Sequence, residues 1–305
     1  MSIRSSASDA TPTARRTSSS GPARPPAAPE PLARERRERG SPLTQAGFEA
    51  ARARLGLEPA ALWAVMRVEA KACGFLADRR PVILFERHVF HRRTGGRFSG
   101  GQPSVSHPKP GGYGAPGANQ HARLEAAAAL DARAAQESAS WGLGQVMGFN
   151  ARHAGHDGIE SFVSAMREGE DAQLLAMCAF IAAAGLDDAL RRRDWTAFAR
   201  GYNGPGFARN AYDAKLAGAF ADYAQGTRPL PDFALRAAQL RLLYAGLDPG
   251  PIDGVFGRRT RVALAAFRTA QGERAADAGA RPFGADDLAR LAAATPAPEP
   301  GPDVG

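Results

Sequence analysis

The sequence predicts a mainly α-helical protein with one small β element, followed by a second, smaller helical module. Apolar residues recur at helical spacing through most of 43–225. Only 82–85 and 89–90 have the branched and aromatic composition of a strand or short hairpin. A polar, proline-containing linker at 226–232 then precedes another helical pattern at 233–294. These three observations indicate two helical modules, of which the first contains the β element.

The individual elements follow from this pattern. A first helix is expected to start near Leu43 and a second at Pro59, because proline suits the first turn of a helix. Further helical patterns cover 122–137, 157–167 and 169–184. The stretch 94–120 is rich in Gly, Pro and Ser, and a loop of that length inside a compact domain is typically functional or mobile.

The two ends of the chain differ from its middle. Residues 1–40 carry eight arginines and four acidic residues, which supplies half of the net charge of +8. Their Ser, Thr, Pro and Ala content cannot bury a core, so we predict a disordered basic arm there and a disordered tail at 295–305. No apolar signal-peptide core or membrane-spanning run occurs, so general secretory export is not expected.

Glu69 is the first candidate for chemistry. Leu62, Val65 and Met66 occupy positions i, i+3 and i+4 of one helix face, and Glu69 occupies i+7. Burial at such a position would raise the pKa of the carboxyl group, which suits a general acid. The alternative is a glutamate at the edge of the apolar face, neutralised by Arg67 or Arg87.

Glu86 follows Glu69 by seventeen residues and is the second candidate. Two carboxylates on opposing elements are the usual equipment for cleaving a glycosidic bond: one protonates the leaving oxygen and the other activates water or stabilises positive charge. Glu86 could equally be a structural partner of Arg87 or Arg92.

The uncharged stretch 138–150, "SASWGLGQVMGFN", is predicted to be a ligand-binding loop. Its glycines let backbone amides approach a ligand closely, Gln145 can donate to and accept from sugar hydroxyl or acetamido groups, and Trp141 offers an apolar face to a sugar ring. Tyr202 and Asn203 form a second amphipathic cluster at a helix end. Turn formation and core packing are the alternative for both clusters.

The order of these motifs resembles that of goose-type lysozymes and soluble lytic transglycosylases. In detail, "GFLADRRPVILFERHVFHR", "GGYG", "SASWGLGQVMGFN" and "DWTAFARGYNGPGFARNAYDAKLAGAF" resemble the N-acetylmuramidase domain of phage and prophage endolysins of Gram-negative hosts, over about 43–225. The resemblance implies a lysozyme-like α+β fold and hydrolysis between N-acetylmuramic acid and N-acetylglucosamine. It also implies that Glu69 is the catalytic glutamate. An enzyme of this kind is expected to need no metal or other cofactor.

One position departs from this family. Its members tend to carry a bulky Phe or Met between the Leu and the Gln of the G-L-x-Q turn, whereas this chain has Gly144. We therefore expect a looser turn, with a less closely fixed Gln145.

The second module has a resemblance of its own. Its Q-x-x-L, D-G-x-F-G-x-x-T and A-x-x-x-F patterns resemble the small three-helix peptidoglycan-binding domain, over about 233–294. This resemblance implies attachment to the cell wall.

Three alternatives to a muramidase remain open. A lytic transglycosylase would use the same glutamate without water. A zinc amidase or peptidase would rest on the pairs His88/His91 and His153/His156, although neither pair has the H-E-x-x-H pattern. A non-enzymatic binder of nucleic acid or envelope would rest on the basic charge and on the three-helix C-terminal module.

The muramidase interpretation sets further expectations. Its partner is the glycan strand of peptidoglycan, with the basic arm at 1–40 available to contact an anionic outer membrane. Nucleic acid is not expected as a partner, and the chain is expected to be a monomer. It would be made in the cytoplasm and reach periplasmic peptidoglycan by holin-type or other non-Sec release.

Overall fold

The computed structural model describes residues 39–69, 73–204 and 206–296. The predicted basic arm at 1–40 and the predicted tail at 295–305 lie outside these residues, apart from two residues of each. Within the described part of the chain, no helix combines the length and apolarity needed to cross a bilayer.

The described residues form fourteen α-helices and one three-stranded antiparallel sheet, so the predicted mainly α fold class is confirmed. The helices before residue 226 are α1 (Gln45–Leu55), α2 (Pro59–Glu69), α3 (Arg87–Arg93), α4 (Ala118–Ala128), α5 (Ala132–Glu137), α6 (Ile159–Glu168), α7 (Glu170–Ala183), α8 (Asp187–Arg191), α9 (Trp195–Asn203) and α10 (Tyr212–Ala224). The strands are β1 (Ile83–Phe85), β2 (Ala139–Trp141) and β3 (Val146–Met147). The helices after residue 232 are α11 (Phe233–Tyr244), α12 (Arg258–Ala270), the six-residue α13 (Ala275–Ala280) and α14 (Ala285–Ala294).

Local sequence signals explain where the first helices begin and end. The Thr44 hydroxyl accepts a hydrogen bond from the Gly47 amide and caps the start of α1. Gly56, with φ of 64°, ends α1 in the left-handed conformation that glycine adopts without steric cost. α2 begins at Pro59, as the sequence predicts.

The sheet corrects two details of the sequence interpretation. Residues 138–150 form a hairpin rather than a loop: β2 pairs with β3 and also, antiparallel, with β1, where Ile83 faces Trp141. Residues 89–90 belong to α3 and not to a strand. A short apolar run fits the buried face of either element, and periodicity alone cannot distinguish them.

Most of the apolar core lies among the helices before residue 226, where α2 packs on α10 and α1 packs on α7. The C-terminal helices have a separate apolar cluster that includes Leu242, Leu264 and Phe267. A third cluster joins the two parts, since Phe75 packs against Leu240 of α11 and Ile252.

A buried ion pair also joins the two parts. Arg236 of α11 donates to the carboxylate of Glu170 at the start of α7, and neither side chain is more than 2 % exposed. Glu170 accepts further hydrogen bonds from the Leu43 and Gly74 amides. The C-terminal helices are therefore anchored to the segment that follows α2.

The predicted boundaries of the modules at 43–225, 226–232 and 233–294 stay predictions. In the structure the predicted linker connects the end of α10 to the start of α11. Arg228, within this linker, forms an ion pair with Asp253 at 2.8 Å, so the linker contacts the C-terminal helices as well as joining them.

Candidate active site

Glu69 is the last residue of α2, and its side chain is half-buried. The apolar face that leads to it is buried as the spacing predicts, with Leu62 and Val65 fully enclosed. Arg67, a candidate for neutralising it, forms its ion pair with Asp222 at 2.6 Å. The helix is thus anchored in the core and ends in a half-buried carboxylate that a substrate can reach.

Asn203 meets Glu69 from a second helix. It is the last residue of α9, and its Nδ2 donates a hydrogen bond to Glu69 Oε1 at 3.0 Å. An amide donor fixes the orientation of a carboxyl group and stabilises its ionised form. Two residues that are 134 positions apart, and that the sequence analysis singled out separately, are therefore in contact.

Tyr202 connects the same helix to the hairpin turn. Its buried hydroxyl donates to the carbonyl oxygen of Gly144 at 3.0 Å, and its ring stacks on Phe198. Burial, and then the charge of Glu69, raise the pKa of Tyr202 well above its ordinary value. The same two causes raise the pKa of Tyr212. Tyr202 therefore stays protonated as a donor, and both phenol groups lie within the electrostatic range of Glu69.

Gln145 is held by the protein itself. Its Nε2 donates to the Gly142 carbonyl oxygen at 2.8 Å, and its Oε1 accepts from the Ser140 hydroxyl at 2.9 Å. Its backbone has a φ of 48°, a left-handed conformation that is strained for a residue other than glycine. The side chain closes the turn, and its predicted role in binding substrate stays a prediction.

The expectation of a loose turn at Gly144 is wrong. Met177 of α7 packs against this glycine, and a Cβ atom added there would lie 2.6 Å from the Met177 Cβ. Both residues are buried. The turn is closely packed because a bulky side chain on the neighbouring helix occupies the space beside it.

The prediction that Trp141 presents a face to a sugar ring is also wrong for this structure. The side chain is 1 % exposed and belongs to the main apolar core. Its Nε1 donates to the Gln136 carbonyl oxygen at 3.0 Å. All three residues of β2 are buried, so both faces of this strand are covered by the rest of the protein.

Glu86 directly precedes α3, where its side chain makes no capping hydrogen bond, and it is completely buried. His88 Nδ1 lies 3.0 Å from its Oε2, and the Tyr113 hydroxyl donates to its Oε1 at 3.3 Å. The Tyr113 carbonyl oxygen in turn accepts from Gln120 and Arg123, which fixes this part of the glycine-rich segment over the carboxylate. Contact between Glu86 and a substrate requires Tyr113 to move aside, and its catalytic role stays a prediction.

Gln173 is a site residue that sequence reasoning missed. It is buried on α7, where its Oε1 accepts from the Leu143 amide at 2.8 Å. Its Nε2 donates to the carbonyl oxygens of Gly74 and Met166. This one amide ties the hairpin turn to the segment that follows Glu69. A buried-face glutamine in an otherwise apolar helix was the available signal.

The histidines that suggested zinc make local contacts. His91 Nδ1 lies 2.7 Å from the Ser99 hydroxyl, and the His156 ring packs edge-on against Phe162. Across the ranges that the structure describes, no three His, Cys, Asp or Glu side chains are grouped as metal ligands would be.

Comparison with known proteins identifies the family. Residues 58–224, more than half of the chain, match the family model described as Muramidase, N-acetylmuramidase. The chain belongs to the N-acetylmuramidase family. This muramidase is therefore a glycoside hydrolase, and its substrate is peptidoglycan.

A solved structure is also similar to this muramidase. The crystal structure of Burkholderia AP3 phage endolysin is 40% identical in sequence, with a TM-score of 0.57. The match covers 61% of this chain and 72% of that chain. A search of curated proteins gives no match. The family and the solved structure together confirm the peptidoglycan-hydrolysing, endolysin-like function predicted from the sequence.

Proposed function

We propose that this muramidase hydrolyses the bond between N-acetylmuramic acid and N-acetylglucosamine with Glu69 as the proton donor. One observation carries the proposal: Asn203 holds Glu69 Oε1 at 3.0 Å, at the end of a helix whose other face is buried. The carboxyl group is thereby fixed in place and remains only half-buried. These are the requirements for a general acid that must reach a substrate.

The geometry supports a simple sequence of steps. Protonated Glu69 gives its proton to the glycosidic oxygen as the bond to the sugar carbon breaks, and positive charge develops on the sugar ring. The carboxylate that remains accepts the Asn203 hydrogen bond and lies where it can stabilise that charge. Water then adds to the sugar carbon and gives a proton to the Glu69 carboxylate, which regenerates the acid and leaves a reducing end.

The hairpin turn 142–145 is proposed as the floor of the glycan groove. Tyr202 and Gln173 hold this turn from two different helices. Residues 142–144 are buried, so Gln145, the half-buried residue of the turn, is the candidate for contact with sugar.

The products test the proposed reaction. Purified peptidoglycan digested by the protein and analysed by mass spectrometry should contain muropeptides with reducing N-acetylmuramic acid ends. Products with 1,6-anhydromuramoyl ends would show a lytic transglycosylase instead. Released free amino groups with intact glycan strands would show an amidase or a peptidase.

The C-terminal helices are proposed to attach the enzyme to the cell wall. Among the described residues, the exposed large apolar side chains are Leu230, in the linker, and Val262, on α12. Val262 is 64 % exposed, although it lies on a helix that packs into a core of its own. Val262→Asp, introduced into the inactive Glu69→Gln protein, should weaken co-sedimentation with purified sacculi. Unchanged binding would count against this surface.

Contact with an anionic outer membrane is a separate proposal, supported by the positive charge of residues 1–40. Deletion of 1–38 should reduce lysis of intact Gram-negative cells and leave digestion of purified peptidoglycan unchanged. Equal lysis of intact cells would contradict the proposal.

We also propose that the protein leaves the cytoplasm through a holin-type pore and that it is a monomer. Lysis of a host that expresses the protein should depend on a co-expressed holin. Light scattering of the pure protein should give the mass of one chain.

A further inference from the structure

Two neighbouring pockets lie along α2 and α10, starting beside Glu69. The nearer one, of about 580 Å³, is lined by Val68, Tyr212 and Lys215 among others. Val68 precedes Glu69 directly, and the charge of Glu69 affects the pKa of Tyr212, so this pocket adjoins the candidate active site. Arg67 lines this pocket and also the next one. The Arg67 side chain is therefore a wall that the two pockets share.

The farther pocket, of about 210 Å³, lies between the larger part of the molecule and the C-terminal helices. Trp63 and Tyr223 supply apolar surface from α2 and α10, and Arg228 comes from the linker. Ile252 and Asp253 line the pocket from the C-terminal side. The C-terminal module thus forms one wall of a cavity whose opposite wall is the helix that ends in Glu69.

The polar lining of the two pockets is mainly cationic. Lys215, Arg67, Arg228 and Arg236 line the pockets together with Asp222 and Asp253. Glu170, outside the lining, neutralises Arg236, which leaves one net positive charge. The two ion pairs, Arg67–Asp222 and Arg228–Asp253, are 30 to 42 % exposed. Ion pairs with this exposure are weak, so a ligand carboxylate can compete for the guanidinium donors.

Two of these cations have donors to spare. The Arg228 Nε atom is buried and makes no hydrogen bond to the described residues. Lys215 is exposed, its ammonium group lies 5.7 Å from the Tyr212 ring, and no acidic residue in the described ranges pairs with it. The Nε atom is enclosed, so an anionic ligand would reach Arg228 through the exposed 34 % of its side chain and would reach the exposed Lys215 directly.

The substrate of a muramidase carries a group of matching chemistry. Each N-acetylmuramic acid of peptidoglycan bears a short peptide with several carboxylates and small apolar side chains. Cleavage takes place beside that sugar, so the peptide must leave the groove from a point close to Glu69. The helical rise from Glu69 back to Trp63 is about 9 Å, a distance that two or three extended residues span.

We propose that the two pockets form one peptide trough, which binds the carboxylate-bearing peptide of peptidoglycan, and that the C-terminal module supplies its far wall. The proposal rests on the proposed function, because it needs N-acetylmuramic acid beside Glu69. It gives the C-terminal helices a part in substrate recognition in addition to attachment to the wall.

The test compares soluble glycan fragments that carry their peptides with the same fragments after an amidase has removed the peptides. The double variant Lys215→Gln/Arg228→Gln should raise KM for the peptide-bearing fragments about tenfold, the loss expected for hydrogen bonds to a charged group at a partly exposed site. Its kcat, and all kinetic constants on the stripped fragments, should match those of the unchanged protein.

The matched control is Arg152→Gln/Arg258→Gln, which removes the same charge from exposed positions outside both pockets. It should leave KM unchanged for both substrates, so that a general effect of net charge is separated from the trough. An unchanged KM of the Lys215/Arg228 variant, or an equal rise on both substrates, overturns the peptide trough while the proposed function stands. If the unchanged protein cleaves neither substrate, the proposed function itself fails.

Discussion

Glu69 and Glu86 are seventeen residues apart, and the sequence proposes both for the same reaction, yet their surroundings differ. Glu69 is half-buried and accepts from the Asn203 amide at the end of α2. Glu86 is fully enclosed, with His88 and the Tyr113 hydroxyl beside its carboxylate. A proton donor must touch the substrate, so one side of its carboxyl group has to face the groove. Burial and partners therefore separate two residues that composition and spacing treat alike.

Glu170 is a third glutamate to compare, and its charged partner is Arg236. Burial alone would raise its pKa, but the Arg236 charge and the hydrogen bonds from Arg236, Gly74 and Leu43 outweigh burial and hold the pKa below its ordinary value. Glu170 thus remains ionised inside the protein. It joins the C-terminal helices to the segment that follows Glu69.

Replacing the carboxyl group of Glu69 tests most directly whether the two glutamates have different roles. Glu69→Gln should lower the lytic rate by about a thousandfold, as expected on loss of a general acid, while the melting temperature stays unchanged. A turbidity assay on Gram-negative cells stripped of their outer membrane measures the rate. Glu125→Gln, at a glutamate whose side chain is 72% exposed, is the control and should keep full activity. Retained lysis by Glu69→Gln would contradict the assignment of Glu69 as the general acid.

Glu170 is expected to matter for folding rather than for chemistry. Glu170→Gln leaves Arg236 as a buried unpaired charge, which should reduce the free energy of unfolding by about 3 kcal/mol in a urea titration. Glu170→Gln/Arg236→Met removes both charges and should recover much of that loss. If the double variant is no more stable than the single one, the ion pair is not the cause.

The same pair sets a pH dependence. Because the pKa of Glu170 is lowered in the folded state, its stabilisation is present at pH values above the ordinary carboxyl pKa of about 4.3 and is lost as the pH falls through the folded pKa. As the pH falls below about 5, the unchanged protein should therefore lose stability more steeply than Glu170→Gln/Arg236→Met, as measured by thermal melts. Parallel curves would argue against the assigned pair.

Substitution of Glu86 should destabilise the protein, whereas substitution of Glu69 should not. Glu86→Gln replaces a buried carboxylate that contacts His88 and Tyr113, and the unfolding free energy should fall by about 2 kcal/mol. Glu69→Gln, measured beside it, should stay within about 0.5 kcal/mol of the unchanged protein. Equal stability of the two variants would remove the distinction between the carboxylates.

The smallest effect is expected at the residue that orients Glu69. Asn203→Ala removes one hydrogen bond to a carboxyl group and should lower kcat about tenfold. Asn203→Asp keeps the size of the side chain but places a second negative charge beside Glu69, and it should be at least as inactive. Full activity in both variants would show that the contact has no role in the reaction.

The sequence predicted those parts of the site that depend on local signals. The start of α2 at Pro59, its buried face and the terminal position of Glu69 all follow from spacing. Only the order of the motifs suggested that the end of α9 belongs to the same site as Glu69. No local pattern brings Asn203 to Glu69, since that contact spans 134 residues.

The remaining errors have one physical origin. Trp141 has the chemistry of a sugar platform, but residues from distant parts of the chain pack around it and leave it 1 % exposed. Gly144 suggested a loose turn, but Met177 fills the space from another helix. Tertiary packing decides both cases, and a single sequence does not display it.

The leaving group of the substrate tests the central claim, that Glu69 delivers a proton to the glycosidic oxygen, most directly. The measurement is the ratio of kcat between the unchanged protein and Glu69→Gln on two glycosides of the same glycan. One has a sugar as its leaving group, and the other has a dinitrophenolate, which departs without protonation. We predict a ratio of about a thousand for the sugar and a far smaller ratio for the dinitrophenyl glycoside. Equal ratios for the two substrates would contradict a proton-donor role for Glu69.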